Sequence, residues 1–503
     1  MNTKISNKFY VTTPIYYVND KPHIGHAYTT ILADVLARYH RSEHHDCFFL
    51  TGLDEHGQKV AQAAEKRSVT PQAHADEMAP RFIELWKKLE ISNDDFIRTT
   101  EERHKKAVQD VLQRIFDKGD IYEDEYEGWY SVAEERFITE EEKESGTFRD
   151  VKKLKEKNYF FKMSRYQEKL INYINDNPGY IRPEHRKNEI LGFLKQPLND
   201  LCISRPKSRL SWGIEIPFNK DYVTYVWFDA LVNYISVPGF GTNEKNFKKW
   251  WPADVHLIGK DILTTHSVYW STMLFSLELP LPKTIFAHGW WLIGQAKMSK
   301  SLGNVVNPLD LADQYGVDSV RYYLMKEMIL GNDANFTIES FIKCYNSDLA
   351  NDFGNLLNRV SGLIAKLFEG KVPEAKKQEA ADKEIQKKAG GLSSLVSSFV
   401  NDLKIQEAVS ETINLVRLVN AYVEKQAPWK AAKTDLARAG TILYTATEAL
   451  RISAILLSPV MPAKCETVLD VLSAKDSSPK WGELKAGTKL KSHEALFPRL
   501  EVT

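Results

Sequence analysis

Cysteine is scarce. The 503-residue chain holds four, Cys47, Cys202, Cys344 and Cys465, widely separated and without any Cys-x-x-Cys pair. That excludes a small disulfide scaffold and a zinc knuckle built on paired thiolates, and it favours a reducing compartment. An excess of one charge is also missing, since Lys+Arg and Asp+Glu both number 67. No global field draws the chain to polyanions, so such a partner must meet a local patch. No run approaches the ~20 consecutive apolar residues of a membrane span, and the opening MNTKISNKF lacks the apolar core of a signal peptide. A cytoplasmic protein is expected, with the mitochondrial matrix as the alternative if an import segment precedes this numbering. There is no G-x-x-x-x-G-K-[ST], and Gly239-Phe240-Gly241 does not open a helical pattern. Conventional P-loop and dinucleotide fingerprints are therefore excluded, as is a repeat of fixed period.

What is present is an ordinary globular composition, 43% hydrophobic and 27% charged. At ~150 residues per domain the length implies about three domains. KFYVTT (8–13) and DCFFLT (46–51) read as strands, and HAYTTILADVLARYHRSE between them has helical spacing. Strand, helix, strand in that order is the βαβ unit of a parallel sheet, whose ligands bind at the carboxyl ends of its strands. From Ile115 to Tyr225 mixed charge and aromatics suggest an inserted domain. DVHLI (254–258) and TIFAH (284–288), with a helix through HSVYWSTMLFSL, restore the sheet pattern. Beyond Gly303 helical patterns cover 318–330, 339–369, 381–426 and 434–457. In the third, Ile405, Ala408, Val409, Thr412, Val416, Val419 and Val423 form one apolar face, as a helix bundle requires. The polar stretch at 370–384 reads as a bundle loop or linker. The expected fold is α/β: a split doubly wound, Rossmann-like sheet with an insertion, followed by an α-helical bundle.

Two stretches can handle phosphate. Directly after the first strand comes Pro22-His23-Ile24-Gly25-His26, opening the helix. Gly25 permits close backbone approach, a helix start offers N–H donors to an anion, and His23 and His26 share one side of the first turn. In isolation, two surface histidines beside a helix cap would read the same way. The second is Lys297-Met298-Ser299-Lys300-Ser301-Leu302-Gly303, where two ammonium groups could neutralise a leaving pyrophosphate and Gly303 lets the loop move. A Lys/Ser surface turn would look alike if it stood alone.

An H-x-G-H turn after the first strand, followed by KMSKS near the end of a split sheet, resembles the class I aminoacyl-tRNA synthetases. FYVTTPIYYVNDKPHIGHAYTT, FFLTGLDEHGQKVAQAA, ISRPKSRLSWGI, YVWFDALVNY, LIGKDILTTHSVYW and HGWWLIGQAKMSKSLGNVV are similar to the methionyl-tRNA synthetase family within that class. The resemblance implies that Mg²⁺ and ATP activate L-methionine to an adenylate, and that methionine then passes to the terminal adenosine of tRNA(Met). Chemistry at phosphorus depends mainly on positioning and electrostatics. By likeness His23, His26, Lys297, Lys300 and Arg205 act in catalysis, while Gly25 and Asp261 join His23, His26 and Lys300 in holding ATP. Asp54 takes the substrate ammonium; Ile15, Tyr17, Trp227, Ala230, Tyr234 and His266 line the methionine pocket, where a hydroxyl or imidazole N–H could meet the sulfur. Without the motifs, Trp227 and Tyr234 would read as core aromatics and Asp54 as a turn residue. Asn355, Arg359, Pro428 and Trp429 resemble the anticodon-reading set, an indole stacking on an unpaired base; Pro-Trp closing a helix turn is the plainer alternative.

The implied divisions are 1–115 and 226–303 for the two catalytic halves, 116–225 for the insertion, 304–355 for a stem-contact region and 356–503 for the anticodon-binding bundle. Where many relatives carry zinc knuckles, this chain has Tyr130-Ser131-Val132-Ala133-Glu134, so no structural zinc is expected. The insertion is too short for a hydrolytic editing domain. The chain stops soon after the bundle, and a monomer is expected. Competing readings are a class I synthetase for leucine, cysteine or valine, and a non-catalytic tRNA-binding paralogue.

Overall fold

The computed structural model describes residues 8–18, 22–131, 136–138, 140–147, 150–293, 296–297, 306–475 and 477–501. It divides into two compact units, residues 1–289 and 290–503.

The first unit is built on a six-stranded sheet. β1 (Lys8–Tyr17) lies beside β2 (Asp46–Asp54), which lies beside β3 (Asp95–Arg98). On the other side of β1 come Val255–Gly259, Thr284–His288 and Ile181–Arg182, and every pairing is parallel. β1 is rich in aromatic and β-branched residues and is buried along most of its length, as a central strand covered on both faces should be. At Gly52 in β2, a Cβ would stand 2.1 Å from the Ile97 carbonyl oxygen of β3. Only a residue without a side chain lets these strands meet there.

The helix α1 (Ile24–Ser42) crosses from β1 to β2 and is buried on most sides. Its Asp34, inside the core, accepts from Arg38 at 2.7 Å and from the backbone N–H of Ser92 at 2.7 Å, which ties the helix to the turn before β3.

Residues Ile121–Ser131 and Val151–Phe161 form a long antiparallel ribbon, flanked by Arg136–Ile138 and Leu201–Cys202. Ile181–Arg182, however, returns to the main sheet beside Thr284–His288. Two residues are too few to show the alternation by which a strand is recognised in sequence. A second small antiparallel sheet joins Ser204–Pro206, Glu215–Ile216 and Asn219–Thr224.

The second unit is mainly helical. Helices Ala380–Asn401, Ile405–Gln426 and Leu436–Leu457 pack together around an apolar core. The continuous pattern at 381–426 is broken by a short turn in which Leu403 adopts φ 56°. Both helices bury a face in the same core, so the apolar period runs past the break. Expectations for the other helices hold closely, with Val317–Glu327 and Leu436–Leu457 matching two of the patterns. Asn355–Phe368 continues from a π-helical segment, Tyr345–Gly354.

Candidate active site

The sheet order reverses between β1 and Val255–Gly259. Successive strands wind outward in opposite directions from that point, and a crevice opens at their carboxyl ends. The residues singled out from the first unit's sequence gather along this edge.

His23 is the N-cap of α1. Its Nδ1 accepts from the Gly25 backbone N–H at 3.1 Å, and His26 Nδ1 accepts from the His23 N–H at 3.3 Å. A backbone N–H can only donate, so in the neutral rings both protons sit on Nε2. The rings stack at 3.8 Å between centroids. Desolvation, and then the neighbouring His23, hold His26 well below the usual histidine range, so it stays neutral at physiological pH. The backbone donors that sequence reasoning assigned to an anion are thus partly used by the imidazoles, whose protons sit on Nε2. Gly25 has a direct reason as well: a Cβ there would lie 3.0 Å from His23 Cε1.

Tyr16 fixes the turn from below, its hydroxyl 2.7 Å from Thr30 Oγ1 and 3.3 Å from the His26 carbonyl oxygen. Across the crevice His288 ends its strand. Its Nδ1–H donates to the Gly289 carbonyl at 2.7 Å, so its Nε2 accepts from Thr29 of α1 at 2.7 Å. Asp261 follows Val255–Gly259, and a Cβ on Gly259 would lie 2.6 Å from its Oδ1. Its charge reaches both His266 and His288.

Ile15 and Tyr17 belong to β1 itself, beyond a register shift between Thr12 and Ile15. Asp54, buried at the end of β2, is in register with Tyr17. Helix Val226–Leu231 carries Trp227 and Ala230, and Trp227 meets His266 edge to face at 6.2 Å. Tyr234 donates its hydroxyl to His266 Nε2 at 2.7 Å, because His266 Nδ1–H is engaged by the Ile262 carbonyl at 2.9 Å. Burial pushes His266 down to about 4, partly opposed by that carbonyl and by Asp261. The neutral pair directs its protons to its own partners, so a donor to a ligand sulfur requires the Tyr234 hydroxyl to turn.

Arg205 is buried. Its Nη1 donates to the Ser204 carbonyl at 2.7 Å, and the guanidinium lies over the Tyr225 ring at 4.5 Å. Of the KMSKS stretch, Lys297 lies on strand Ala296–Lys297, paired with Trp291–Ile293. Lys300 falls outside the described residues, as do Ser131's neighbours Val132, Ala133 and Glu134.

In the helical unit Asn355 opens helix Asn355–Phe368, with Arg359 one turn further on. Arg359 lies 5.9 Å from the Trp429 ring and bonds Glu424 at 2.7 Å, and Pro428 is buried. Among the described residues no three His, Cys, Asp or Glu side chains form a metal-binding group, and no helix is long and apolar enough to cross a membrane.

Sequence reasoning missed a buried junction on the helix that carries Trp227 and Ala230. Asp229 accepts from His56 Nδ1 at 2.6 Å and from His104 Nε2 at 2.8 Å. His56 and Asp229 stand inside the recognised stretches LDEHG and WFDA, which was the available signal; His104 had none.

A parallel sheet with imidazoles at its switch point, joined to a helical unit, defines the class, and comparison with known families agrees. The family described as "tRNA synthetases class I (M)" matches residues 9–147 and 141–361, and "Anticodon binding domain of methionyl tRNA ligase" matches 372–502. The chain is 47% identical to a methionine–tRNA ligase of Clostridium acetobutylicum over 98% of its own length and 78% of the relative's. To that of Bacillus subtilis it is 45% identical, over 99% and 78%. Its fold resembles Mycobacterium tuberculosis methionyl-tRNA synthetase in complex with methionyl-adenylate, with TM-score 0.93, 40% identity and coverage of 98% and 100%. The chain belongs to the methionyl-tRNA synthetase family of class I.

Proposed function

We propose that the protein activates L-methionine with Mg²⁺-ATP and charges tRNA(Met). A methionine carboxylate oxygen attacks the α-phosphorus, the bond to the bridging oxygen breaks, and pyrophosphate leaves. A hydroxyl of the terminal adenosine then attacks the activated carbonyl carbon, and AMP departs.

The observation that carries this reading is the convergence at one sheet edge of two Nε2–H imidazoles, Asp261, and an aromatic pocket ending in Tyr234 and His266. His23 and His26 donate to phosphate oxygens, and Gly25 lets the chain pass close beneath His23. Asp261 accepts from ribose hydroxyls, Asp54 takes the ammonium, and Ile15, Tyr17, Trp227, Ala230, Tyr234 and His266 surround the thioether. Lys297, Lys300 and Arg205 neutralise charge on the departing pyrophosphate and the reacting groups.

Asn355, Arg359, Pro428 and Trp429 read the anticodon, with the Trp429 indole as stacking platform. No structural zinc is part of this reading, because serine is a poor zinc ligand where a knuckle cysteine would stand. Four free thiols suit a cytoplasmic setting. The chain acts as a monomer of 57.6 kDa, a mass light scattering can check.

The decisive test is amino-acid-dependent exchange of pyrophosphate into ATP across a panel including leucine, valine and cysteine. Methionine alone should support it strongly. Equal exchange with another amino acid, or none at all, overturns the assignment. Trp429→Ala should leave exchange intact while lowering tRNA charging by about 10 to 100-fold, the loss of one stacked base; equal losses in both assays would remove the anticodon role.

A further inference from the structure

Asp229 is fully buried in the first unit, on the helix that carries Trp227 and Ala230. A carboxylate in a core is costly unless its oxygens are satisfied. Both are: Oδ2 accepts from His56 at 2.6 Å and Oδ1 from His104 at 2.8 Å. His56 stands two residues after Asp54, in the turn that leaves β2. His104 sits on helix Glu102–Asp117 and, through Nδ1, meets the Ser236 hydroxyl at 3.1 Å, two residues beyond Tyr234.

Two further bonds hold the same turn. Arg98 donates to the buried Glu55 carboxylate at 2.7 Å, and the Trp212 indole N–H donates to the Glu55 carbonyl at 2.6 Å. His56 Nδ1 gives the turn a direct, buried bond to the pocket helix. Short, stiff side chains meet at one buried point, with no long flexible linker between them, so displacement of one segment must move the others.

We propose that Asp229 is a positioning residue for methionine: its two-histidine clamp sets the distance between the carboxylate of Asp54 and the aromatic wall formed by Trp227 and Tyr234. The substrate ammonium and thioether lie at opposite ends of one short molecule. A shift between their receptors weakens methionine binding while leaving the ATP-binding imidazoles on α1 undisturbed. This rests on the methionine-activation reading.

The test is pyrophosphate exchange with Asp229→Asn, which keeps shape but replaces one accepting oxygen with a donor. The methionine KM should rise about tenfold, with the ATP KM and kcat within about threefold of wild type, the size expected when one hydrogen bond to a buried charge is lost. His56→Ala should reproduce the effect. His56→Asn, which restores a donor near the position of Nδ1, should recover most of the methionine affinity. An Asp229→Asn enzyme whose methionine KM stays within about twofold of wild type overturns the proposal, as do equal losses in both KM values and kcat, the mark of general loosening. If Asp229→Asn fails to fold, the His56→Ala and His56→Asn pair decides on the same criterion. A wild-type chain without methionine-dependent exchange would instead remove the underlying activity.

Discussion

His26 shows how much one side chain can be asked to do. Its Nδ1 accepts the His23 N–H while its proton remains on Nε2, so closing the capping box and, in the proposed reaction, donating to an anion fall to opposite ring atoms. His26→Ala removes both. Contacts that strengthen as charge develops affect turnover more than ground-state binding, so exchange kcat should fall by about 10² to 10³-fold with the methionine KM little changed. Loss of the cap should cost about 1 kcal/mol of stability, measurable by urea unfolding. A kcat within a few-fold of wild type would remove the catalytic role. The pairing of His23 with His26 was readable from their spacing. Their tautomers were not, because these depend on which ring atom meets which backbone N–H.

At the scale of elements, the helical unit depends on a buried pair. Arg451 donates to Glu448 at 2.6 Å with both side chains inaccessible to water. Glu448 also accepts the N–H of Gly482 at 2.6 Å and of Leu484 at 3.2 Å, so one carboxylate pins the returning segment onto helix Leu436–Leu457. Glu448→Ala leaves the buried guanidinium charge without its carboxylate, with the Ser477 hydroxyl and the Ser478 and Lys480 carbonyls as its remaining acceptors, and should destabilise the unit by about 3 kcal/mol, seen as a lower denaturation midpoint. An unchanged midpoint would contradict this.

The helices themselves were legible, since an apolar stripe of period 3.6 survives in sequence whatever the helix packs against. The short strand Ile181–Arg182 was not. Its place beside Thr284–His288 is decided by pairing with a strand about a hundred positions away, not by its own two residues. The break at Leu403 was hidden for a related reason: two helices sharing one core keep one apolar rhythm.

At the scale of the molecule, the first unit buries histidines that it keeps neutral. Burial lowers His26, His256 and His288, and brings His266 to about 4. In the unfolded chain these groups titrate near 6.5 and bind protons that the folded chain refuses. Stability is therefore full above about pH 6.5 and declines as pH falls toward the folded values. For His266 alone, the difference between 6.5 and about 4 corresponds to about 3 kcal/mol lost by the time the pH reaches 4. Urea midpoints should fall between pH 7 and pH 5, and His266→Gln should make the decline shallower. Equal midpoints at both pH values, or an unaltered slope in the variant, would rule this out.

The order of residues was enough to establish the strand and helix periods, the spacing of H-x-G-H and KMSKS, and with them the family. Those signals are local, each carried by a few neighbouring positions whose chemistry reads without partners. Tertiary structure alone decided which nitrogen of each imidazole holds the proton, that the Tyr234 hydroxyl points to His266, and that Asp229 joins His56 to His104. The last contact spans separations of 173 and 125 residues. Such a meeting follows from how the whole sheet and its helices pack, and no short stretch of sequence contains it.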